Sequence, residues 1–285
     1  MRVVVTGAAG LLGRHVAAAC LTRGHEVFGL DTAPQPDGGW QQATADLSDL
    51  GTTVQFCQGA DAILHCAAIP RPLGHAGAEV FRVNMATIYA ATEAARLCRV
   101  GLFVYASSFS VLGYPFASPV PTPHYLPIDE DHPVAPQDIY GTSKWLGEEL
   151  VAALVRQGAL RAISLRMPWL QTPDSFARDI GPRRDTAAAA ADLWAYLDAR
   201  DAGTAFAQAL DWQGSGHLRC YLSADDSYSD TPTRDLIAAA FGAAVPLRNP
   251  LPGHSAPIDC SLARRELGFL PRHGWRDYAT EGDRR

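Results

Sequence analysis

The chain has 285 residues, 47% of them hydrophobic and 19% charged, with 30 acidic against 24 basic residues and a net charge of −6. That length supports one large core, or one core with a small appendage, and the composition is that of an ordinary globular protein rather than a disordered one. The acidic balance argues against a nucleic-acid or anionic-membrane surface and leaves small molecules as the expected partners. Cys20, Cys57, Cys66, Cys98, Cys220 and Cys260 are scattered, with no C-x-x-C pair and no His/Cys cluster at metal-ligand spacing. They read as buried thiols of a reducing compartment, with no metal site. The chain opens directly on a strand, and no apolar run reaches the roughly 20 residues of a membrane span, so a cytoplasmic protein is expected.

In chain order, "RVVVTG" is a short β-branched strand, and "LLGRHVAAACLTRG" places apolar residues at helical spacing and stops at Gly24. "HEVFGLD", "ADAILHCAA", "GLFVYASS" and "LRAISLRMP" are further short apolar strands, interleaved with helical stretches near 48–58, 77–99 and 138–157. Strands alternating with helices predict a doubly wound α/β fold with a parallel sheet. Beyond Pro168 the alternation weakens: residues 169–192 are irregular and include an alanine run at 187–191, "LWAYLDARDAGTAFAQAL" reads as strand and helix, and "HLRCYLS" as another strand. The expected organisation is a Rossmann domain over 1–168, to which 193–224 return, and a small C-terminal substrate lobe formed by 169–192 and 225–285.

The stretch "TGAAGLLG" sets glycines at 7, 10 and 13 between a predicted strand and a predicted helix. Glycine there permits a tight turn and close backbone approach, and the free N–H groups at the helix start attract a pyrophosphate. The backbone of Gly7, Gly10, Leu11, Leu12 and Gly13 is thus the expected cradle. Asp31 ends the second predicted strand, where a carboxylate accepts both adenosine ribose hydroxyls and repels a 2′-phosphate, which favours NAD over NADP.

In "DIYGTSKWLGEEL", Tyr140 and Lys144 stand at i and i+4 on one helix face. A phenol near pKa 10 is a poor base at neutral pH. Bringing it to neutrality takes roughly 4 kcal/mol, which a lysine one turn away and a cationic nicotinamide can supply in a partly dry site.

Together, the glycine motif, Asp31 and Y-x-x-x-K resemble the extended short-chain dehydrogenase/reductase superfamily, in its NAD-dependent epimerase/dehydratase branch, over nearly the whole chain. The spacing T-G-x-x-G-x-x-G is what points to the extended branch. The resemblance implies that Asp46 and Leu47 of "ADL" contact adenine, and that Ala67 and Ala68 of "HCAA" pass under the cofactor. It also implies a tetrad of Asn84, Ser108, Tyr140 and Lys144. Tyr140 would take the proton of a secondary alcohol while hydride leaves for the nicotinamide, Ser108 would bind the same oxygen, and Lys144 would hold the nicotinamide ribose. Family dehydratases place an acidic pair after the active-site Ser/Thr; Phe109 and Ser110 stand there, so dehydration is disfavoured.

The segment after Pro168 is shorter than in members that clasp a nucleotide-sugar. "SSFSVLGYP" and "RMPWLQTPDSFAR" resemble the corresponding stretches of uronate dehydrogenases, which would put Arg178 at a sugar carboxylate and Phe109 beside the sugar. Arg183 and Arg184 are alternative cations for that position. The helices around 81–98 and 138–155 correspond to the family's dimer-forming pair, so a homodimer is expected. The readings are then a dehydrogenase or ketoreductase of a sugar or sugar acid, an epimerase that keeps its NAD, or a non-catalytic dinucleotide sensor.

Overall fold

The computed structural model describes residues 1–34, 38–158, 160–184, 186–242 and 244–278. In chain order the elements are β1 (Arg2–Thr6), α1 (Leu11–Thr22), β2 (Glu26–Asp31), β3 (Gln41–Thr44), α2 (Leu50–Cys57), β4 (Ala62–His65), α3 (Gly77–Leu97), β5 (Leu102–Ser108), α4 (Ile139–Arg156) and β6 (Arg161–Met167). There follow β7 (Trp169–Gln171), the single-turn α5 (Pro173–Ser175), β8 (Tyr196–Asp198), α6 (Ala199–Ala209), β9 (His217–Tyr221), α7 (Thr233–Phe241) and α8 (Ser261–Leu267). Seven strands form one parallel sheet in the order β3-β2-β1-β4-β5-β6-β9. The expected doubly wound α/β fold is therefore the observed one.

Side-chain alternation along the strands divides the interior into two layers. Val3 and Val5 of β1, with Leu102, Val104 and Ala106 of β5, pack with Val16, Ala17 and Cys20 of α1 and Ala202, Ala205 and Phe206 of α6. Val4, Phe103 and Tyr105 face the other way, onto Cys57 of α2, Ile88 and Ala91 of α3 and Val151 of α4. Both faces of the sheet are covered, which is why its strands read as near-continuous apolar runs. The short edge strand β3, "QQAT", was not expected, because its mostly exposed polar residues give no strand pattern.

The sheet order changes direction at β1: β2 lies on one side and β4 on the other. In open parallel sheets ligands settle in the crevice beyond the strands' carboxyl ends at such a switch point. The layer built on α1 and α6 continues without a break into the later part of the chain. Phe176, Tyr196, Tyr228, Ile258 and Tyr278 belong to the same cluster as Val3 and Val5. The two-stranded parallel ribbon β7-β8 and bridges from Leu126 to Leu247 and from Ile128 to Ile258 tie that part to the loop before α4. Of the segments expected to build the small lobe, residues 185, 243 and 279–285 lie outside the described residues, as do 35–37 and 159 of the expected Rossmann domain. Among the described residues no helix is long and apolar enough to cross a membrane.

Candidate active site

The turn after β1 has room only for glycine at two points. Gly7 adopts φ +71°, and a β-carbon on it would stand 2.6 Å from the backbone nitrogen of Ala67; one on Gly13 would stand 2.0 Å from the carbonyl oxygen of Gly7. Strand β4 and helix α1 therefore approach this turn at backbone contact. At Gly10 the surroundings differ: only the Gly7 oxygen lies within 4 Å of a β-carbon position, at 3.2 Å. Gly10 is the N-cap of α1 and provides no side-chain hydrogen bond to the first N–H groups of the helix, which stand at its positive end. That is a fitting place for a pyrophosphate.

Asp31, at the carboxyl end of β2, is aimed by the same turn. Its Oδ2 accepts the Ala9 N–H at 2.9 Å and its Oδ1 the Ala33 N–H at 3.0 Å. A carboxylate has about four lone-pair sites, so acceptor capacity remains for a ribose diol. Asp46 follows β3; hydrogen bonds from the Ser48 hydroxyl and N–H, at 2.7 and 2.9 Å, hold its carboxyl below the usual range. Leu47 is buried in the α2–α3 layer. Ala67 and Ala68 continue from β4, with the Ala67 N–H directed at Thr6 Oγ1 at 3.4 Å.

Asn84 sits on α3 and grips this loop. Its Oδ1 accepts the Ile69 N–H at 2.7 Å, and its Nδ2 donates to the Ile69 carbonyl at 3.2 Å and to Ser143 Oγ at 3.0 Å. It thus joins the loop after β4 to α4, one residue from Lys144. Ser108 closes β5, where its Oγ accepts the Ser110 N–H at 3.0 Å. Helix α4 begins at Asp138, whose Oδ1 caps the Gly141 N–H at 2.9 Å, and this fixes Tyr140 in the first turn.

Tyr140 and Lys144 are both buried, at 8% and 4% exposure. The Lys144 ammonium lies 5.7 Å from the centre of the Tyr140 ring and 5.1 Å from that of Tyr105, and donates to the Ala106 carbonyl at 2.8 Å. Burial pulls the Lys144 pKa down to about 8. Burial pushes the Tyr140 phenol up to about 12, against a hydrogen bond from Ser108 that lowers it; the Asp138 charge raises it further. The sequence suggested an acidified phenol. Here the phenol is instead raised, because desolvation of the phenolate exceeds what the Ser108 side chain returns.

The expected substrate contacts lie less close together. Phe109 is 2% exposed and stacks on Tyr114 with ring centres 6.2 Å apart. Arg178 turns outward, with its Nε and Nη2 both 2.7 Å from the carboxylate of the adjacent Asp179 and its side chain 71% exposed. Arg183 pairs with Asp192 at 3.1 Å and lies over the Trp169 ring, while Arg184 pairs with Asp230 and lies over Trp275. A neighbour the sequence did not reveal is Phe116, whose ring meets Tyr140 edge-on at 6.5 Å and 87°. It stands alone in a proline-rich loop, with no periodic pattern to mark it. Among the described residues no three His, Cys, Asp or Glu side chains are grouped to hold a metal ion.

Comparison with known proteins places the chain by family and fold. The model of the NAD dependent epimerase/dehydratase family matches residues 3–216. The L-arabinose 1-dehydrogenase (NAD(P)(+)) of Haloferax volcanii is 28% identical over 198 residues, 68% of this chain and 76% of that enzyme. The uronate dehydrogenase of Pseudomonas putida is 30% identical over 170 residues, 58% of this chain and 60% of that enzyme. Among solved structures, a short-chain dehydrogenase/reductase superfamily protein from Agrobacterium tumefaciens with bound NAD superposes with a TM-score of 0.74 at 26% identity, covering 99% of this chain and 95% of that one.

Proposed function

The chain belongs to the NAD dependent epimerase/dehydratase family, and within it we propose an NAD-dependent dehydrogenase or ketoreductase that oxidises a secondary alcohol or lactol of a small sugar or sugar acid, or reduces the corresponding carbonyl. The observation that supports this most is the convergence of buried Ser108, at the end of β5, and buried Tyr140, with the Lys144 ammonium 5.7 Å from the Tyr140 ring centre. NAD, when bound, supplies the hydride-accepting ring and a positive charge next to the phenol. The chain's residues do the rest. The Gly7–Gly13 turn and the start of α1 hold the pyrophosphate, and Asp31 holds the adenosine ribose.

Ser108 Oγ donates a hydrogen bond to the substrate oxygen and keeps it against Tyr140. With its proton lost under the influence of Lys144 and the cationic ring, the Tyr140 phenolate would take the hydroxyl proton during oxidation, and the resulting phenol would give it back during reduction. Lys144, which donates to the Ala106 carbonyl at 2.8 Å, would hold the ribose hydroxyls when NAD is bound, with its ammonium within reach of the phenolate. Asn84 touches none of the reacting atoms; it positions the loop after β4 against α4. Two features support a small substrate: the short segment after β6, and the single-sugar names of the two dehydrogenases given above. A carboxylate on that substrate would be taken by Arg178 after release of Asp179. Elimination has no evident base after Ser108, since Phe109 is buried and the Ser110 hydroxyl accepts from Ser108 at 3.2 Å.

Incubation with NAD and a panel of aldoses and hexuronates should give NADH in proportion to oxidised product. Tyr140→Phe, which removes one hydroxyl, should lower turnover by about 10² to 10⁴-fold with NAD affinity unchanged. Conversion of a substrate to its epimer with no net NADH would overturn the dehydrogenase reading, and near-normal turnover in Tyr140→Phe would overturn the assignment of the base.

A further inference from the structure

Tyr140 is 8% exposed, and the ring of Phe116 stands beside it. The Phe116 ring is perpendicular to the Tyr140 ring at 6.5 Å between centres, and Phe116 remains 37% exposed. A partly exposed apolar ring therefore packs beside the ring of the general base.

The loop that presents Phe116 is held firmly. Tyr114 is 2% exposed, stacks on Phe109 and donates its hydroxyl to, or accepts from, His132 Nε2 at 3.3 Å. The Ala117 N–H donates back to the Tyr114 carbonyl at 3.2 Å, closing a four-residue turn with Phe116 at its third position. Phe109 thus serves as the buried foot of this turn, and Phe116 is its outward tip. An aromatic side chain with two rotatable bonds on an anchored turn loses little entropy when a ligand covers it.

We propose that Phe116 is a specificity-determining residue that forms the apolar wall of the substrate cleft, receiving the C–H face of a ring-form sugar while Tyr140 and Ser108 take its hydroxyl. This rests on the reading of Tyr140 as the base, and it adds the side chain that selects what reaches it. A sugar ring has an apolar face of axial C–H groups, and an aromatic wall with a few convergent polar groups is the usual make-up of a small-molecule site. Because such a contact is made equally in ground state and transition state, its loss should appear in KM rather than in kcat.

The test uses the full chain with NAD and two probes, L-arabinose and D-glucuronate. Phe116→Ala should raise KM about tenfold for whichever probe is turned over, with kcat changed by less than about threefold, and Phe116→Tyr should restore KM. A second measurement needs no turnover: N-acetylimidazole should acetylate Tyr140 about tenfold faster in Phe116→Ala than in the unaltered chain, followed by peptide mass spectrometry, since the ring that shields the phenol is gone. Unchanged KM with unchanged acetylation overturns the proposal. If neither probe is turned over, the acetylation rate decides alone. Full turnover in Tyr140→Phe would instead sink the assignment of the base and leave the shielding by Phe116 measurable.

Discussion

Burial pushes the Tyr140 phenol up to about 12 and pulls the Lys144 ammonium down to about 8, so the cofactor-free chain holds a neutral phenol beside a lysine that loses its proton unusually early. The first consequence is spectroscopic. A tyrosinate titration of the unaltered chain minus that of Tyr140→Phe should show a midpoint near 12 without cofactor, and one well below it with NAD saturating. Equal midpoints would mean that the bound cation does not reach the phenol. The second concerns stability. Lys144 binds its proton more weakly folded than unfolded, so between about 8 and its ordinary 10.5 the unfolded chain holds more protons, and folding stability gains as pH rises through that window. Tyr140 acts in the opposite sense only above its ordinary value of 10. Lys144→Met removes the lysine's contribution. From pH 8 to 10 the stability of the unaltered chain should therefore rise relative to Lys144→Met in denaturant titrations, whereas parallel curves would refute the buried charge. The glycines, Asp31 and the Tyr–Lys pair were legible because their chemistry is set by nearby residues. The actual acidity of Tyr140 was not, because it depends on how deeply β5 and α3 bury α4.

Helix α4 shows how one element serves both chemistry and anchoring. Its first two turns carry Tyr140 and Lys144, and one turn further on Glu148, fully buried, receives Arg166 of β6 through Nε at 2.9 Å and Nη2 at 2.8 Å. Ser107 of β5 donates to the same carboxylate at 2.5 Å, and Arg219 of β9 lies 3.1 Å away. Burial alone would raise the Glu148 pKa, but the hydrogen bonds and charge of Arg166, with Ser107 and Arg219, outweigh it and hold the carboxyl below its usual range. The network fixes α4 across three strands, next to the end of β5 that bears Ser108. Glu148→Ala strands the deeply buried Arg166, whereas Arg219 keeps its pairing with Glu149 at 2.9 Å, and should cost about 3–5 kcal/mol of stability, measured by urea unfolding. The double variant Glu148→Leu, Arg166→Met should recover much of that loss, since two apolar side chains leave no unpaired charge. A loss under 1 kcal/mol in Glu148→Ala would refute the anchoring role. The helix itself was predictable from its Asp138 cap and 3.6-residue pattern. That Glu148, the first of its two adjacent glutamates, points inward was not, because the partners come from strands 18 to 71 positions away in the chain, a pairing set by sheet order alone.

For the molecule as a whole, α3 and α4 lie side by side on one face of the sheet, and α3 shows solvent an apolar stripe. Phe81 and Tyr89 are 36% and 54% exposed, and Met85 between them is half-buried. These positions are i, i+4 and i+8, hence on one side of the helix. On α4, Trp145 directly follows Lys144, half-buried, with the Arg219 guanidinium 5.9 Å from its ring. A monomer gains nothing from such a stripe. Two copies related by a twofold axis would cover it twice with a single arrangement, pairing α3 and α4 with their symmetry mates in a four-helix interface. Such pairing would also stiffen the second turn of α4, where Trp145 and Lys144 are neighbours, one turn after Tyr140, so assembly and catalysis would be linked through Lys144. Light scattering at micromolar concentration should therefore give twice the 30.5 kDa of the chain. Tyr89→Glu places a charge in the centre of the proposed interface, far from the glycine turn and Asp31. It should yield a monomer that still binds NAD but turns over more slowly than the dimer. A Tyr89→Glu variant that remains dimeric would move the interface elsewhere, and a monomeric unaltered chain would remove it.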